Sequence, residues 1–377
     1  MNSRKYNWVY ILLCTIVLTG CWGHQEINEV ILVQTTGIDK GKNNKVKLTI
    51  EFLKITGSSQ GPSGLMGKKL YLSQDGDTLF EAARKLREKS SRSVFWGHSS
   101  VIIFGKDVAE EGLKKQVDIL YRQRHFRQSA LIFVASGSAE EIIKSKVVQE
   151  NLVSTSLKGL MKSQNLTSTI KKTTLQTVYS DLVNEYRELT IPAIFINSKT
   201  EKGLLKTTGL YGFRNDRLVS FIDASFTKQY LRLINEAKSA VETLNEGKGK
   251  FITFENLNSH TNIEPSLSQG KPAISIEIFA NFNIADVHGD FNEITPAKIA
   301  SWEKKLNQKI KKEVEEFLDY TKTENLDLIG IGESIHRKYP ERWKKINKDW
   351  KNLYPKLDYS IEVKSSINHT YLLNDSL

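Results

Sequence analysis

Eleven residues, Trp8 to Leu18, form an apolar run too short to cross a bilayer, and the residues flanking it decide most of what the remaining chain can be. Arg4 and Lys5 precede the run and Leu18-Thr19-Gly20-Cys21 closes it. This is the order of an export signal that ends in a lipobox. Small residues give the signal peptidase access to the bond before Cys21, so residues 1–20 are expected to leave and Cys21 to become an acylated first residue. No later segment reaches the roughly 20 apolar residues of a membrane-spanning helix, so the chain is expected to cross the membrane without spanning it.

Cysteine usage then limits the chemistry. Cys14 leaves with the signal and Cys21 carries lipid, so the mature body has no thiol for a disulfide or a cysteine metal site. Its stability must come from packing. Apolar residues at 39% and charged residues at 26% exclude a disordered tail and a multi-pass membrane protein, and 377 residues allow two or three domains with real cores. Lys and Arg number 54 against 43 Asp and Glu, a balance of +11. In the cytoplasm that would suggest nucleic acid. An exported chain meets none, so the acidic partner is an anionic lipid surface or another envelope component.

The organisation predicts an α+β, multi-domain fold with mixed or antiparallel sheets flanked by helices. Val30 to Ile55 reads as a hairpin around residues 39–44, with Val46, Leu48, Ile50 and Phe52 on one face. A Gly/Ser loop, 57–69, precedes a short strand at 70–72 and a helix opened by the capping box Thr78-Leu79-Phe80-Glu81. Further elements are a strand at 100–104, a helix near 107–121, a strand at 129–135, a second capping box at Ser138 to Glu141, helices near 150–163 and 173–187, and a strand at 191–196. The polar stretch Asn197 to Gly203 is the expected boundary, giving units 21–197 and 204–377. The second unit is expected to begin with a hairpin, 205–222, followed by a helix to about 238 and strands at 251–255 and 273–285. Thr295 and Pro296 then open a long helix with Ile299, Trp302, Leu306, Ile310, Val314 and Phe317 on one face. Alternating Leu357, Tyr359, Ile361 and Val363 predict a last strand in the second sheet.

Catalytic signals are weak. Gly57-Ser58-Ser59-Gln60-Gly61 matches G-x-S-x-G, but Pro62-Ser63-Gly64 comes next where a helix is required, so a loop is expected. Gly330-Ile331-Gly332 lacks a third glycine and a βαβ setting, and reads as a turn. The seven histidines have no i, i+4 pair, which argues against zinc. Neither a catalytic residue nor a cofactor is expected.

The sharper feature is basic. From His336 to Lys356, Arg337, Lys338, Arg342, Lys344, Lys345, Lys348, Lys351 and Lys356 face only Glu341 and Asp349 as opposing charges. Pro340 suits a first helical position, after which Trp343, Ile346, Trp350 and Leu353 share one face and Lys344, Lys345, Lys348 and Lys351 the other. Such a helix could lie on lipid headgroups, or pack its tryptophans inward and leave the lysines in water; aromatic stripes are more often core. Arg342, Lys344, Lys345, Lys348 and Lys351 are therefore the candidate membrane or partner surface.

Cys21-Trp22-Gly23-His24-Gln25-Glu26-Ile27-Asn28 resembles the start of the mature Ger(x)C family, the lipoprotein subunits of spore germinant receptors, and the resemblance runs along the whole chain. Gly37-Ile38-Asp39 looks like the family's first strand end, Trp96-Gly97-His98 its mid-domain motif, and Arg122 to Arg127 its arginine-bearing loop. Gly332 to Pro340, followed by Trp343-Lys344-Lys345, is similar to its C-terminal signature. Gly23, Gln25 and Gln123 depart from the pattern. The resemblance implies a three-domain arrangement, so the first unit would split in two. It also implies a lipid-anchored, non-enzymatic subunit on the outer face of the spore inner membrane. There it would act with two integral membrane subunits, of A and B type, in the germination response to small nutrients. Only Cys21 carries over with a definite chemical role. The competing expectation is a substrate-binding lipoprotein of an envelope transporter, which would need two lobes around a cleft. A third, an envelope hydrolase, lacks a nucleophile and base.

Overall fold

The computed structural model describes residues 29–54, 68–147, 150–162, 167–184, 186–197, 204–268, 271–289, 291 and 294–370. The leader, Cys21 and the Gly57–Gly61 match lie outside them.

The first hairpin forms as its alternation predicts: β1 (Val30–Lys40) pairs antiparallel with β2 (Val46–Lys54), which pairs with β3 (Lys68–Gly76). Helix α1 (Leu79–Glu88) starts where Thr78 Oγ1 accepts from Glu81 N at 3.1 Å, and it buries Leu79, Ala82 and Leu86. A three-residue strand, β4 (Ser93–Phe95), precedes β5 (Val101–Phe104). The helix expected over 107–121 is two, α2 (Lys106–Glu111) and α3 (Lys114–Arg122), because Gly112 takes φ +127°, which a continuous right-handed helix cannot contain. β6 (Leu131–Ala135), α4 (Ala139–Lys144), α5 (Val153–Lys162), α6 (Leu175–Val183) and β7 (Thr190–Asn197) come after.

β1, β5, β6 and β7 run parallel in the centre of the first sheet, with antiparallel strands outside. Helices cover both faces. In β5, Ile102 and Phe104 join the core under α1, α2, α3 and α6, while Val101 and Ile103 join the core under α4 and α5. A strand buried on both sides must be apolar throughout, and Val101-Ile102-Ile103-Phe104 is.

The polar stretch after Asn197 does not end this sheet. β8 (Leu204–Arg214) pairs antiparallel with β7, and β9 (Arg217–Ile222) closes the edge, so the hairpin expected to open the second unit belongs to the first sheet. Alternation cannot say which sheet a hairpin joins, and this one serves both. Leu205, Tyr211 and Phe213 of β8 enter the cores of the first sheet, whereas Leu210 of β8 and Ile222 of β9 enter the C-terminal one.

Helix α7 (Ala224–Leu233) leads to a four-stranded sheet in the order β10 (Ala240–Gly247), β11 (Lys250–Ser268), β12 (Lys271–His288), then β13 (Asp358–Thr370), the last parallel to β12. Against one face lies α8 (Pro296–Thr323). Its start is capped by Thr295, and Trp302, Leu306, Ile310, Val314 and Phe317 are buried against Ile276, Phe254 and Phe282 as the stripe predicts. The opposite face of the sheet keeps Val241, Phe251 and Phe279 exposed.

Candidate functional site

Three buried carboxylates fix the framework. Asp39, of the Gly37-Ile38-Asp39 motif, accepts from Ala139 N at 2.7 Å and Glu140 N at 2.8 Å, holding the start of α4 from a hundred residues away. Burial pushes its pKa up against these hydrogen bonds. Glu51 does the same for α5 through Val153 N at 2.9 Å. Asp327 does it for the C-terminal signature, where Oδ1 accepts from Ile331 N at 2.8 Å and Oδ2 from Gly332 N at 2.7 Å. Helix N-termini present unpaired N–H groups and a positive dipole end, so a buried carboxylate there is satisfied on both counts.

Gly330-Ile331-Gly332 is thus more than a turn. Gly330 takes a left-handed φ of +73°, and Ile331 begins α9 (Ile331–Lys338). A Cβ on Gly332 would stand 2.7 Å from the Trp343 ring, which explains the absent side chain. After Tyr339, Pro340 takes the first position of α10 (Pro340–Ile346). The single basic helix expected from Pro340 to Leu353 does not form. It tightens to a 3-10 turn at Asn347–Asp349 before α11 (Trp350–Leu353), because Asn347 and Asp349 favour caps and turns over helix interiors. The faces sort nonetheless. Trp343 is buried and Trp350 half-buried, their ring centroids 5.1 Å apart, while Lys344, Lys345, Lys348 and Lys351 are exposed. Lys344 pairs with Glu341 at 2.6 Å, and Arg342 is half-buried.

The signature also forms the joint between the two sheets. His336 stacks on Tyr186 and meets Trp343 edge-on, and Tyr186 meets the same indole edge-on at 5.9 Å. Glu188 N donates to Asp327 O at 3.2 Å, and Glu188 Oε2 accepts from Asn215 N at 2.9 Å. Two clefts open here. One of about 380 Å³ is bordered by Asn184, Tyr186, Glu333, His336 and Arg337, and one of about 680 Å³ by Lys114, Asp181, Arg187, Asp216, Asp327 and Trp350. Arg187 is held by Asp181 at 2.6 Å. Burial raises the pKa of Asp327 to about 7, against the N–H groups of Gly332 and Ile331. Sequence reasoning missed Asp327, although a lone acid in Leu326-Asp327-Leu328-Ile329, four residues before a helix, is a readable cap. Nothing in the sequence pointed to Tyr186.

The other two motifs meet elsewhere. Trp96, of Trp96-Gly97-His98, lies 5.4 Å centroid to centroid from Phe126, of the Arg122–Arg127 loop. Arg122 pairs with Asp118 on its own helix at 2.8 Å. Among the described residues no cluster of His, Cys, Asp or Glu is placed to hold a metal, and no helix is long and apolar enough to cross a membrane.

This architecture, with its motifs built into helix caps and the joint between sheets, has counterparts. The family description "Spore germination protein N-terminal domain" matches residues 23–196, and "Spore germination B3/GerAC like, C-terminal" matches 208–371. The chain belongs to the Ger(x)C family of spore germination proteins, and its function is that of a germinant receptor C subunit. Spore germination protein KC of Bacillus subtilis (strain 168) is 27% identical over 98% of this chain and 96% of its own length. The putative spore germination protein YfkR of the same organism is 28% identical over 96% and 95%. The crystal structure of the GerBC protein superposes with a TM-score of 0.59 at 19% identity, over 88% of this chain and 96% of that one, so the fold is shared. The two family descriptions part between residues 196 and 208, so β8 and β9 fall largely with the C-terminal one while pairing into the N-terminal sheet.

Proposed function

We propose that the protein is a lipid-anchored, non-catalytic receptor subunit held by Cys21 on the outer face of the spore inner membrane, bound there to two integral membrane subunits of A and B type. The observation that carries this reading is the run of residues from the lipobox straight into the family match: Cys21 precedes the first matched residue by two. About eight residues separate Cys21 from β1, and an extended chain spans at most about 3.5 Å per residue, so the body hangs within roughly 30 Å of the bilayer. The exposed Lys344, Lys345, Lys348 and Lys351, with Arg342 beside them, are the surface offered to the membrane or to the partner subunits. The transporter reading finds no support in the family match.

The test of the anchor is fractionation of Cys21→Ala. Two acyl chains give stable anchoring where one gives marginal binding, so the variant is expected to leave the membrane fraction. A variant that still pellets with membranes and resists a high-salt wash contradicts the lipid anchor.

A further inference from the structure

Helix α1 carries a second stripe beside its buried one. Leu79, Ala82 and Leu86 enter the core, while Phe80, Ala83, Arg84 and Arg87, at i, i+3, i+4 and i+7, line a cavity whose floor is the core residues Leu48, Leu79 and Leu120. That cavity holds about 420 Å³, within the range of small-molecule sites. Its walls are aromatic and aliphatic: Phe80, Val94, Phe95, Trp96 and Phe126. Phe80 and Phe95 are each 45% exposed, which leaves apolar area in water that a ligand would cover. The Arg84 guanidinium sits 4.9 Å above the Phe80 ring. Neither Arg84 nor Arg87 has a carboxylate partner among the described residues, although Glu81 on the same helix is paired with Lys85. Among the described residues no Asp or Glu borders the cavity, and its remaining polar groups include Ser93, Gln123 and His125.

An apolar chamber with two uncompensated guanidinium groups at its edge and no acid selects by charge. A carboxylate head can take a charge-assisted, bidentate contact from arginine, whereas an ammonium group meets only repulsion. We propose that this cavity is a binding site for a small hydrophobic monocarboxylate, with its apolar body between Phe80, Phe95, Trp96 and Phe126 and its carboxylate at Arg84 and Arg87. The site discriminates against the zwitterionic amino acid of the same body, since none of the described residues lining it offers a carboxylate to receive the α-ammonium. The two family motifs that meet here, Trp96-Gly97-His98 and the Arg122–Arg127 loop, then share one task as walls of the same chamber. A binding measurement on the isolated chain needs neither partner subunits nor germination, so the site is tested independently of the receptor reading.

The probes are 3-phenylpropionate, phenylalanine and 3-phenylpropan-1-ol, which share an apolar body and differ in the head. Full-length chain in phosphatidylcholine nanodiscs is titrated with each by calorimetry, with empty nanodiscs as blank. The expected result is at least tenfold tighter binding of 3-phenylpropionate than of the other two. Joint replacement Arg84→Gln and Arg87→Gln is expected to abolish that preference without moving the melting temperature, since both side chains are exposed. Ala83→Trp, which fills the chamber, is expected to remove binding of all three. Equal affinities for the three probes, no binding of 3-phenylpropionate, or an unchanged preference in the double variant would each overturn the proposal.

Discussion

The imidazole of His336 lies 4.4 Å from the ring of Tyr186, centroid to centroid, with only 14° between the planes. One ring comes from the C-terminal signature and the other from the loop between α6 and β7, so this stack ties the two sheets together. An aromatic pair of this kind contributes about 0.5–1.5 kcal/mol beyond its buried area. His336→Asn is expected to lower the melting temperature by a few degrees and leave partial germination, and His336→Phe to restore the melting temperature. Complete loss of germination in His336→Asn at normal protein level and normal melting would argue for a chemical role of the imidazole.

Asp327 makes the same joint sensitive to pH. Its carboxyl titrates near 7 in the fold against about 3.9 in an unfolded chain, so between these values the folded state keeps a proton that the unfolded state has released. The stabilisation it contributes is complete below about pH 4 and is lost as pH rises through 7. In Asp327→Asn, where nothing titrates, thermal melting should lack this component. The difference between wild type and variant is expected to shift against the wild type from pH 5 to pH 8. A difference that stays constant over that range would show that Asp327 is ionised throughout.

Glu242 is the opposite case. Burial opposes its ionisation, but Lys228 at 2.8 Å, Arg232 at 2.9 Å and Lys309 at 2.7 Å outweigh it and hold the carboxyl at about 2. Arg232 is itself completely buried, so Glu242→Gln leaves an uncompensated charge in the interior. The expected cost is about 3–5 kcal/mol in urea unfolding at pH 7. A depressed pKa gives stability that is present above the ordinary carboxylate range and lost as pH falls towards 2, so the deficit should shrink below pH 4.5. A cost under about 1 kcal/mol would mean that the buried cations find other partners.

The same residue explains what the sequence hid. β10 reads against its own alternation, with Val241 and Thr243 outside and Ala240, Glu242 and Leu244 inside, because three cations from α7 and α8 satisfy the inward acid. A pattern of apolar positions cannot reveal such a strand. β11 is legible only over Phe251 to Glu255, since the asparagines after it have poor strand propensity, yet backbone pairing with β12 continues to Ser268. The stripe of α8 is legible from end to end because every turn repeats the same demand for burial. In the candidate site, Trp343 inward and the lysines outward can be read from spacing, whereas Tyr186 joins them through a tertiary contact that no local pattern encodes.

Reversal of the basic surface separates its two uses. Lys344, Lys345, Lys348 and Lys351 are exposed, so changing all four to Glu should leave melting nearly unchanged. Each lysine near an anionic surface is worth about 1 kcal/mol, and the field decays over about 8 Å at physiological salt. The body lacking residues 1–21 is expected to bind anionic vesicles in low salt and release in high salt, with at least a tenfold loss in the reversed variant. Equal vesicle binding by the reversed body would assign these lysines to a partner subunit or to solvent.

The most direct measurement of the receptor reading is co-purification. Tagged chain, extracted from spore membranes in mild detergent, is expected to bring down two integral membrane proteins of the receptor in constant ratio, and Cys21→Ala to lose them with the membrane. Recovery of the lipidated chain alone, after an extraction that keeps other membrane complexes whole, would contradict the account of a receptor subunit.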